Sequence, residues 1–300
     1  MRILVTGAKG MLGSDLCPVL REHHEVMATD IEEMDVRDAT AVRETFRHFL
    51  PHAVVHLAAL TDVDGCERQP DGAFRTNAVG TQIVALACHE IGATMVYVST
   101  ISVFDGYKPI PYTEFDSPRP QSAYSQAKYA GERIVESLVP QHYIVRAGWM
   151  FGGGMEDKKF VAKILDLACL RTELKVVNDK FGSPTYTVDF ARGVERLMET
   201  GLFGLYHLVN AEGCASRFEV ARAILDYAGI TTCAVVPVSS AEFPLPAPRP
   251  RMEAARNYHL ELLGLHLMRD WRSALCAYLE RLYRQGEHRI ALRVEAATEG

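Results

Sequence analysis

The 300-residue chain lacks the features that would place it in several large classes of protein. Its net charge is −6 and no stretch clusters Lys and Arg beside aromatic residues, so we expect no nucleic-acid partner. No apolar run approaches the roughly 18 residues that a membrane helix needs, so we expect no membrane partner either. The seven cysteines are odd in number and scattered, without a Cys-x-x-Cys pair. This usage predicts reduced thiols and a cytoplasmic location.

What the chain does have is a hydrophobic content of 48%, enough for a large core, and an alternation of strand-like and helix-like segments. Short β-branched runs at 2–6, 25–29, 53–57, 94–99 and 143–146 alternate with helical patterns at 11–21, 38–50, 70–91 and 121–138. This alternation is typical of an α/β protein whose parallel sheet is joined by crossover helices.

After Trp149 the alternation becomes irregular, which predicts a second, smaller lobe. We predict a dinucleotide-binding domain at 1–148 plus about 185–212, a substrate lobe at about 149–184 plus 213–284, and a tail at 285–300. The later elements are predicted as helices at 157–170, 188–199, 217–228 and 271–284, strands at 174–177 and 205–209, and a proline-broken loop at 244–250.

A glycine-rich turn follows the first predicted strand. Gly7, Gly10 and Gly13 are spaced three apart and a predicted helix comes next, which is the context of a dinucleotide-binding fingerprint. Asp30 stands about twenty residues further on, after the second strand, where a carboxylate can accept hydrogen bonds from the adenosine ribose. A carboxylate at this position repels a 2′-phosphate, so NADH is favoured over NADPH. The pattern predicts a Rossmann-type doubly wound parallel sheet.

Tyr124 and Lys128 lie four residues apart, on one face of a predicted helix. A free tyrosine has a pKa of about 10, and a neighbouring ammonium lowers that value. Such a phenol can pass a proton to a carbonyl oxygen. By itself the spacing is weak evidence, because an ordinary surface pair has it too. It gains weight here because the glycine turn could hold a nicotinamide cofactor.

Further motifs carry a resemblance to a known family. The segments 54–59 and 77–81, and Ser99-Thr100 ahead of Tyr124 and Lys128, resemble the extended short-chain dehydrogenases/reductases. Within that superfamily the segments 61–67, 103–106, 146–149 and 182–187 resemble dTDP-4-dehydrorhamnose reductases. The similarity covers roughly residues 1–280.

The resemblance implies roles for individual residues. Thr100 would hydrogen-bond the substrate ketone, Tyr124 would donate the proton, and Lys128 would bind the nicotinamide ribose and lower the pKa of Tyr124. Trp149 would pack on the sugar. The implied cofactor contacts are Gly7, Gly10, Met11, Leu12 and Gly13 at the pyrophosphate, Asp30, Asp35 and Val36 at the adenosine, and Ala58, Ala59, Leu60 and Ser99 toward the nicotinamide.

The implied activity is NADH- or NADPH-dependent reduction of the 4-keto group of a dTDP-4-dehydro-6-deoxyhexose, with the last step to dTDP-L-rhamnose as the preferred assignment. A nucleotide-sugar 4-epimerase is the alternative enzyme. A non-catalytic NAD(P)-binding subunit, similar to the regulatory subunit of methionine adenosyltransferase, is the alternative outside catalysis. Family members are often homodimers, which the sequence alone does not establish here.

Two departures from the family pattern bear on these expectations. Many of these reductases follow the threonine with Asp-Tyr, which contacts the sugar, whereas Ile101-Ser102 follows Thr100. The change leaves the exact sugar open and argues against a 4,6-dehydratase, whose elimination needs Asp-Glu there. Some members bind Mg²⁺ through glutamates, the first at the position of Asp15, but the other ligands have no counterpart that we can identify and no metal is predicted. Asp157-Lys158-Lys159, and Arg249 and Arg251 in the proline-rich loop, could approach a diphosphate, although solvated positions are the preferred interpretation.

Overall fold

A parallel sheet of six strands forms the centre of the molecule. The computed structural model describes residues 1–154, 157 and 159–284, so the predicted tail at 285–300 lies outside the described residues. Every pairing within this sheet is parallel, and the strand order β10-β5-β4-β3-β1-β2 reverses direction at β1, as in a doubly wound α/β fold. The predicted fold class is therefore confirmed.

The helices and strands follow the predicted alternation. The strands are β1 Arg2–Thr6, β2 Glu25–Thr29, β3 Ala53–His56, β4 Thr94–Thr100, β5 His142–Ala147, β6 Trp149–Phe151, β7 Glu173–Val177, β8 Phe181–Gly182, β9 Pro184–Tyr186, β10 Gly204–His207, β11 Ala215–Ser216, β12 Ala234–Val238 and β13 Met252–Glu253. The helices are α1 Met11–Arg21, α2 Ala39–Phe49, α3 Val63–Arg68, α4 Pro70–Phe74, α5 Thr81–Ile91, α6 Ala123–Leu138, α7 Phe160–Leu170, α8 Thr187–Thr200, α9 Arg217–Tyr227, α10 Tyr258–Leu262 and α11 Trp271–Arg284.

Successive residues of each central strand serve opposite faces of the sheet. On one face Ile3 and Val5 pack with Leu16 of α1 and Phe190 of α8. On the other face Leu4 packs with residues of α2, α5 and α6. Because helices cover both faces, the strands are apolar without alternation, which is why the sequence shows them as continuous β-branched runs.

Another apolar cluster lies apart from the clusters on the two faces of the sheet. It is built around Trp271 of α11, with Leu165 of α7, Leu174 of β7 and Ile224 of α9. The two-strand sheet of β7 and β12 belongs to this lobe. This packing supports the division into a dinucleotide domain and a substrate lobe that we propose, although Leu260 of α10 packs in the sheet cluster.

The predicted single helix at 70–91 is interrupted. Between α4 and α5 the segment Arg75–Gly80 forms a π-helical turn. Its wider backbone brings the buried Asn77 side chain onto Leu60, whose N–H donates to Asn77 Oδ1 (2.8 Å) and whose carbonyl accepts from Nδ2 (3.0 Å). Helical periodicity alone does not show such an insertion.

Several short elements were missed in the sequence. They are α3, α10 and the strands β6, β8, β9, β11, β12 and β13. Most of these strands contain two or three residues and pair with distant segments, so no local pattern marks them. Among the described residues no helix is long and apolar enough to cross a membrane.

A buried ion pair holds α6 against the sheet. Arg146 of β5 binds Glu132 of α6 through two hydrogen bonds, from Nε (2.9 Å) and Nη2 (2.7 Å). Ser99 of β4 donates to the same carboxylate (2.6 Å), and all three residues are buried. The position of α6 relative to two strand ends therefore depends on this contact.

We expect Glu132→Gln to lower the free energy of unfolding by about 3 kcal/mol, because it leaves a buried guanidinium without its counter-charge. The control on the same helix is Glu136→Gln, which breaks the exposed pair with Arg133 and should cost less than about 1 kcal/mol. Urea unfolding followed by circular dichroism measures both. Equal costs in the two variants would contradict the structural role assigned to Glu132.

Candidate active site

A cleft of about 960 Å³ opens at the carboxyl ends of β1 to β5. This is where ligands bind in open parallel sheets. Every site residue predicted from the sequence lines it: Gly7, Gly10, Met11, Leu12, Gly13, Asp30, Asp35, Val36, Ala58, Ala59, Leu60, Ser99, Thr100, Tyr124, Lys128 and Trp149.

The glycine turn packs so tightly that side chains at Gly7 and Gly13 would collide with neighbouring backbone. Gly7 has a left-handed φ of +68°, and a Cβ there would lie 2.7 Å from the Ala58 nitrogen. A Cβ on Gly13 would lie 2.4 Å from the Ala8 carbonyl oxygen. Gly10 is the N-cap of α1, whose first N–H groups have no partner within the helix. The turn therefore fits the pyrophosphate of a dinucleotide at a helix N-terminus.

Asp30 is fixed at the end of β2, beside the glycine turn. Its carboxylate accepts from the N–H groups of Lys9 (2.9 Å) and Ile31 (2.8 Å). The Lys9 ammonium is itself paired with Glu32 and Glu33. Negative charge therefore predominates at this end of the cleft.

Tyr124 and Thr100 meet across the middle of the cleft. Tyr124 lies in the first turn of α6 and Thr100 at the end of β4. Burial raises the pKa of Tyr124 to about 12, and a hydrogen bond with Thr100 acts in the opposite direction. The Thr100 hydroxyl also accepts a hydrogen bond from the Ser102 N–H (3.1 Å). Thr100 therefore caps the short 3-10 turn at Ile101–Val103 as well as facing the phenol.

Lys128 does not have the effect on the Tyr124 pKa that the helical spacing predicts. Its ammonium donates to the Val98 carbonyl (2.7 Å) and lies 4.1 Å from the centre of the Tyr97 ring. Burial lowers the pKa of Lys128 to about 7, with the charge of Glu132 opposing that shift. The predicted lowering of the Tyr124 pKa by Lys128 is wrong for this arrangement, because the largest effect on that pKa is desolvation of the phenol, which raises it.

Two polar residues of the first lobe support the site from behind. The Ser99 hydroxyl donates a hydrogen bond to Glu132, so Ser99 helps to hold α6 in place. The buried His56 lies between the hydroxyls of Thr6 (2.7 Å) and Thr81 (3.1 Å). Burial lowers the pKa of His56 to about 3, which keeps the ring neutral.

The second lobe adds residues that sequence reasoning missed. Glu253 of β13 and Arg217 at the start of α9 both line the cleft, beside Trp149. Lys159 and Arg249, for which solvated positions were preferred, line it too. No local motif surrounds Glu253 or Arg217, so only the chain's long-range folding identifies them.

Asp15, the position of a magnesium ligand in some relatives, does not fit a metal here. It is buried and accepts from the Gly153 N–H (2.7 Å), the Thr187 hydroxyl and Arg281 Nη1 (2.7 Å). The guanidinium already balances the carboxylate. Among residues 1–154, 157 and 159–284 no cluster of three His, Cys, Asp or Glu side chains is arranged to hold a metal ion.

Comparison with known proteins gives consistent matches over nearly the whole chain. The model of the RmlD substrate binding domain family matches residues 1–284. The dTDP-4-dehydrorhamnose reductase of Mycobacterium tuberculosis (strain CDC 1551 / Oshkosh) is 40% identical, over 93% of this chain and 92% of that protein.

Two solved structures of dTDP-4-dehydrorhamnose reductases are also similar to this chain over nearly its whole length. A dTDP-4-dehydrorhamnose reductase from Clostridium acetobutylicum ATCC 824 superposes with a TM-score of 0.91 at 39% identity, over 94% of this chain and 100% of that chain. The dTDP-4-dehydrorhamnose reductase from Bacillus anthracis str. Ames, crystallised in complex with NADP, has a TM-score of 0.90 at 36% identity, over 93% and 99%.

We expect Gly13→Ala to weaken dinucleotide binding by about 10- to 100-fold, since the new methyl group must displace the Ala8 backbone at a cost of about 1–3 kcal/mol. Gly72→Ala in α4 is the control, because its nearest neighbour would be Leu60 Cδ1 at 3.9 Å. Titration of NADH and NADPH by fluorescence measures both variants. Unchanged affinity in Gly13→Ala would exclude the glycine turn as the binding site.

Proposed function

Because this chain belongs to the dTDP-4-dehydrorhamnose reductase family, we propose that it reduces the 4-keto group of a dTDP-4-dehydro-6-deoxyhexose with a nicotinamide cofactor. The substrate we assign is dTDP-4-dehydro-L-rhamnose, reduced to dTDP-L-rhamnose. The observation that supports this most directly is the presence of the glycine turn and of Thr100, Tyr124 and Lys128 in one cleft.

The chemistry follows from where charge develops. A bound dihydronicotinamide would supply the hydride. Negative charge then grows on the ketone oxygen, and in our proposal Tyr124 donates a proton to it while Thr100 donates a hydrogen bond. With a pKa of about 12, Tyr124 is protonated at neutral pH and holds the proton that this step requires. We assign the nicotinamide ribose to Lys128.

The substrate diphosphate is assigned to the second lobe. Lys159, Lys163, Arg217 and Arg249 line this side of the cleft and bring positive charge to a chain of net charge −6. Arg217 stacks on Trp149, with the guanidinium carbon 3.5 Å from the ring centre. Arg249 is paired with Asp64 (3.0 Å). Cationic side chains of this kind bind phosphate oxygens through charge-assisted hydrogen bonds.

NADH is proposed as the preferred cofactor. The fixed carboxylate of Asp30 suits a free ribose hydroxyl and repels a 2′-phosphate. Arg37, which could offset that repulsion, is held by Asp35 (2.6 Å). The Bacillus anthracis relative was crystallised with NADP, so the preference that we propose concerns this chain and is argued from its own Asp30 and Arg37.

Further parts of the assignment are proposals of the same kind. We assign a homodimer, for which the exposed Val79 and Leu86, about two helical turns apart, offer apolar surface. The cytoplasmic location stays a prediction from cysteine usage.

An epimerase would retain and recycle its cofactor, so release of tightly bound NAD from denatured protein would favour that alternative. A stable complex with a catalytic partner and no reductase activity would favour a regulatory subunit.

We expect Tyr124→Phe to lower kcat by about 10²- to 10⁴-fold while leaving NADH affinity within a factor of about three, because the variant loses only the proton donor. Oxidation of NADH with freshly generated dTDP-4-dehydro-L-rhamnose is followed at 340 nm. Tyr129→Phe, five residues along the same helix, should retain full activity. Equal rates for wild type and Tyr124→Phe would remove Tyr124 from the acid role.

We expect Asp30→Ser to raise kcat/KM with NADPH relative to NADH by about tenfold or more, since it removes a negative charge facing the 2′-phosphate. Asp71→Asn removes an exposed carboxylate from α4 and should leave the ratio unchanged. The two cofactors are compared in the same assay. An unaltered ratio in Asp30→Ser would show that another residue sets the preference.

A further inference from the structure

Glu253 is a buried carboxylate in the cleft that the proposed mechanism does not use. It ends the short strand β13, which pairs in parallel with β8, and it is 8% exposed. Oε1 accepts from the Ser102 hydroxyl (2.6 Å) and Oε2 from Trp149 Nε1 (3.1 Å). Glu253 therefore joins Ser102 of the first lobe to β6 and β13 at the boundary between the lobes.

The Trp149 ring is held on its faces as well as at its nitrogen. Arg217 covers one face at 3.5 Å, and a Cβ on Gly182 would lie 2.2 Å from the ring atom Cε2. With Glu253 at Nε1, the indole is fixed in one orientation. Holding the indole does not require a charged partner, because a neutral acceptor satisfies an indole N–H equally well.

The carboxylate of Glu253 has acceptor capacity to spare. An ionised carboxylate offers about four lone-pair sites, and the contacts from Ser102 and Trp149 use two of them. Among the described residues Glu253 forms no ion pair within 4.0 Å, although the guanidinium of Arg217, stacked on Trp149, is close enough to feel its charge. Burying such a carboxylate is costly unless further donors complete its shell. The open side faces the cleft.

The position of Glu253 relative to Thr100 limits what those donors can be. Ser102 donates its hydroxyl to Glu253 (2.6 Å) and its N–H to the Thr100 hydroxyl (3.1 Å), so the carboxylate lies beside the group that we assign to the ketone oxygen. If the phenol meets the oxygen on carbon 4 of a 4-keto-6-deoxyhexose, the neighbouring carbons are carbon 5, which bears the methyl group, and carbon 3, which bears a hydroxyl. The hydroxyl on carbon 3 is the nearest sugar donor.

We propose that Glu253 accepts a hydrogen bond from the 3-hydroxyl of the hexose and is a specificity-determining residue of the site. This inference rests on the proposed function for the identity of the sugar. It gives a reason for Ser102 after Thr100, because Ser102 orients the carboxylate from the first lobe. A site built around a substrate hydroxyl strongly rejects an analogue that lacks it, since its own polar group is then left without a partner.

The test compares two substrates in wild type and Glu253→Gln: dTDP-4-dehydro-L-rhamnose and its 3-deoxy analogue. We expect wild type to lose at least about 100-fold in kcat/KM with the 3-deoxy analogue. In Glu253→Gln the amide oxygen still accepts from the indole, but the negative charge and one of the two accepting oxygens are lost. The variant should therefore lose a similar factor in kcat/KM with the parent substrate and differ by less than about fivefold between the two substrates. Discrimination retained in the variant would overturn the proposal and leave Glu253 a support for Trp149.

A second measurement separates this inference from the proposed reaction. Titration calorimetry with dTDP-L-rhamnose and its 3-deoxy counterpart reports the same preference without turnover. Binding that favours the 3-hydroxyl in wild type and not in Glu253→Gln supports the role of Glu253, even if no reduction occurs and the proposed reaction fails. Equal binding of the two ligands by wild type overturns the role, whatever the activity. Glu242→Gln, which removes an exposed carboxylate paired with Lys175 outside the cleft, is the control and should retain the preference.

Discussion

The ion pair between Glu132 and Arg146 is the contact on which the geometry of the cleft depends. It joins α6, which carries Tyr124 and Lys128, to β5, and through Ser99 to the strand that ends in Thr100. A cation and an anion buried together are stable only when their geometry is well matched, because each has lost its hydration. The requirement for matched geometry therefore restricts where α6 can lie. Gly131 on the same helix permits the close packing, since a Cβ there would meet the Tyr97 hydroxyl at 2.3 Å.

The two lobes that we propose contribute different parts of the cleft, and their connection is also ionic. Strand ends of the proposed first lobe provide the glycine turn, Asp30 and Thr100, whereas Arg217 and Glu253 come from the second. Asp15 of α1 accepts hydrogen bonds from Gly153, Thr187 and Arg281, so one buried carboxylate ties α1 to the turn after β6 and to α11. The guanidinium of Arg281 provides the positive charge that a metal would otherwise supply to that carboxylate.

The part of the site that could be predicted is the part encoded by local sequence. Gly7, Gly10 and Gly13 follow a strand directly, and Tyr124 and Lys128 share one helical face, so spacing alone brought them to notice. Glu253 and Arg217 enter the cleft through short strands and a distant helix start that have no pattern of their own. The π-helical turn at Arg75–Gly80 was missed because it inserts into a helix without changing its composition. The central sheet was predictable because both of its faces are covered, which leaves short but continuous apolar runs in the sequence.

The pKa values of Tyr124 and Lys128 move in opposite directions from one cause. Desolvation penalises whichever form is charged, so it raises the pKa of the phenol and lowers that of the ammonium. Spacing on a helix predicts an attraction between the two groups but carries no information about how much water surrounds them. In the folded protein burial is the larger effect, and the phenol stays neutral with its proton in place. A neutral phenol beside a hydroxyl is an acid, which suits the reduction of a ketone, where the oxygen must gain a proton as the carbon gains a hydride.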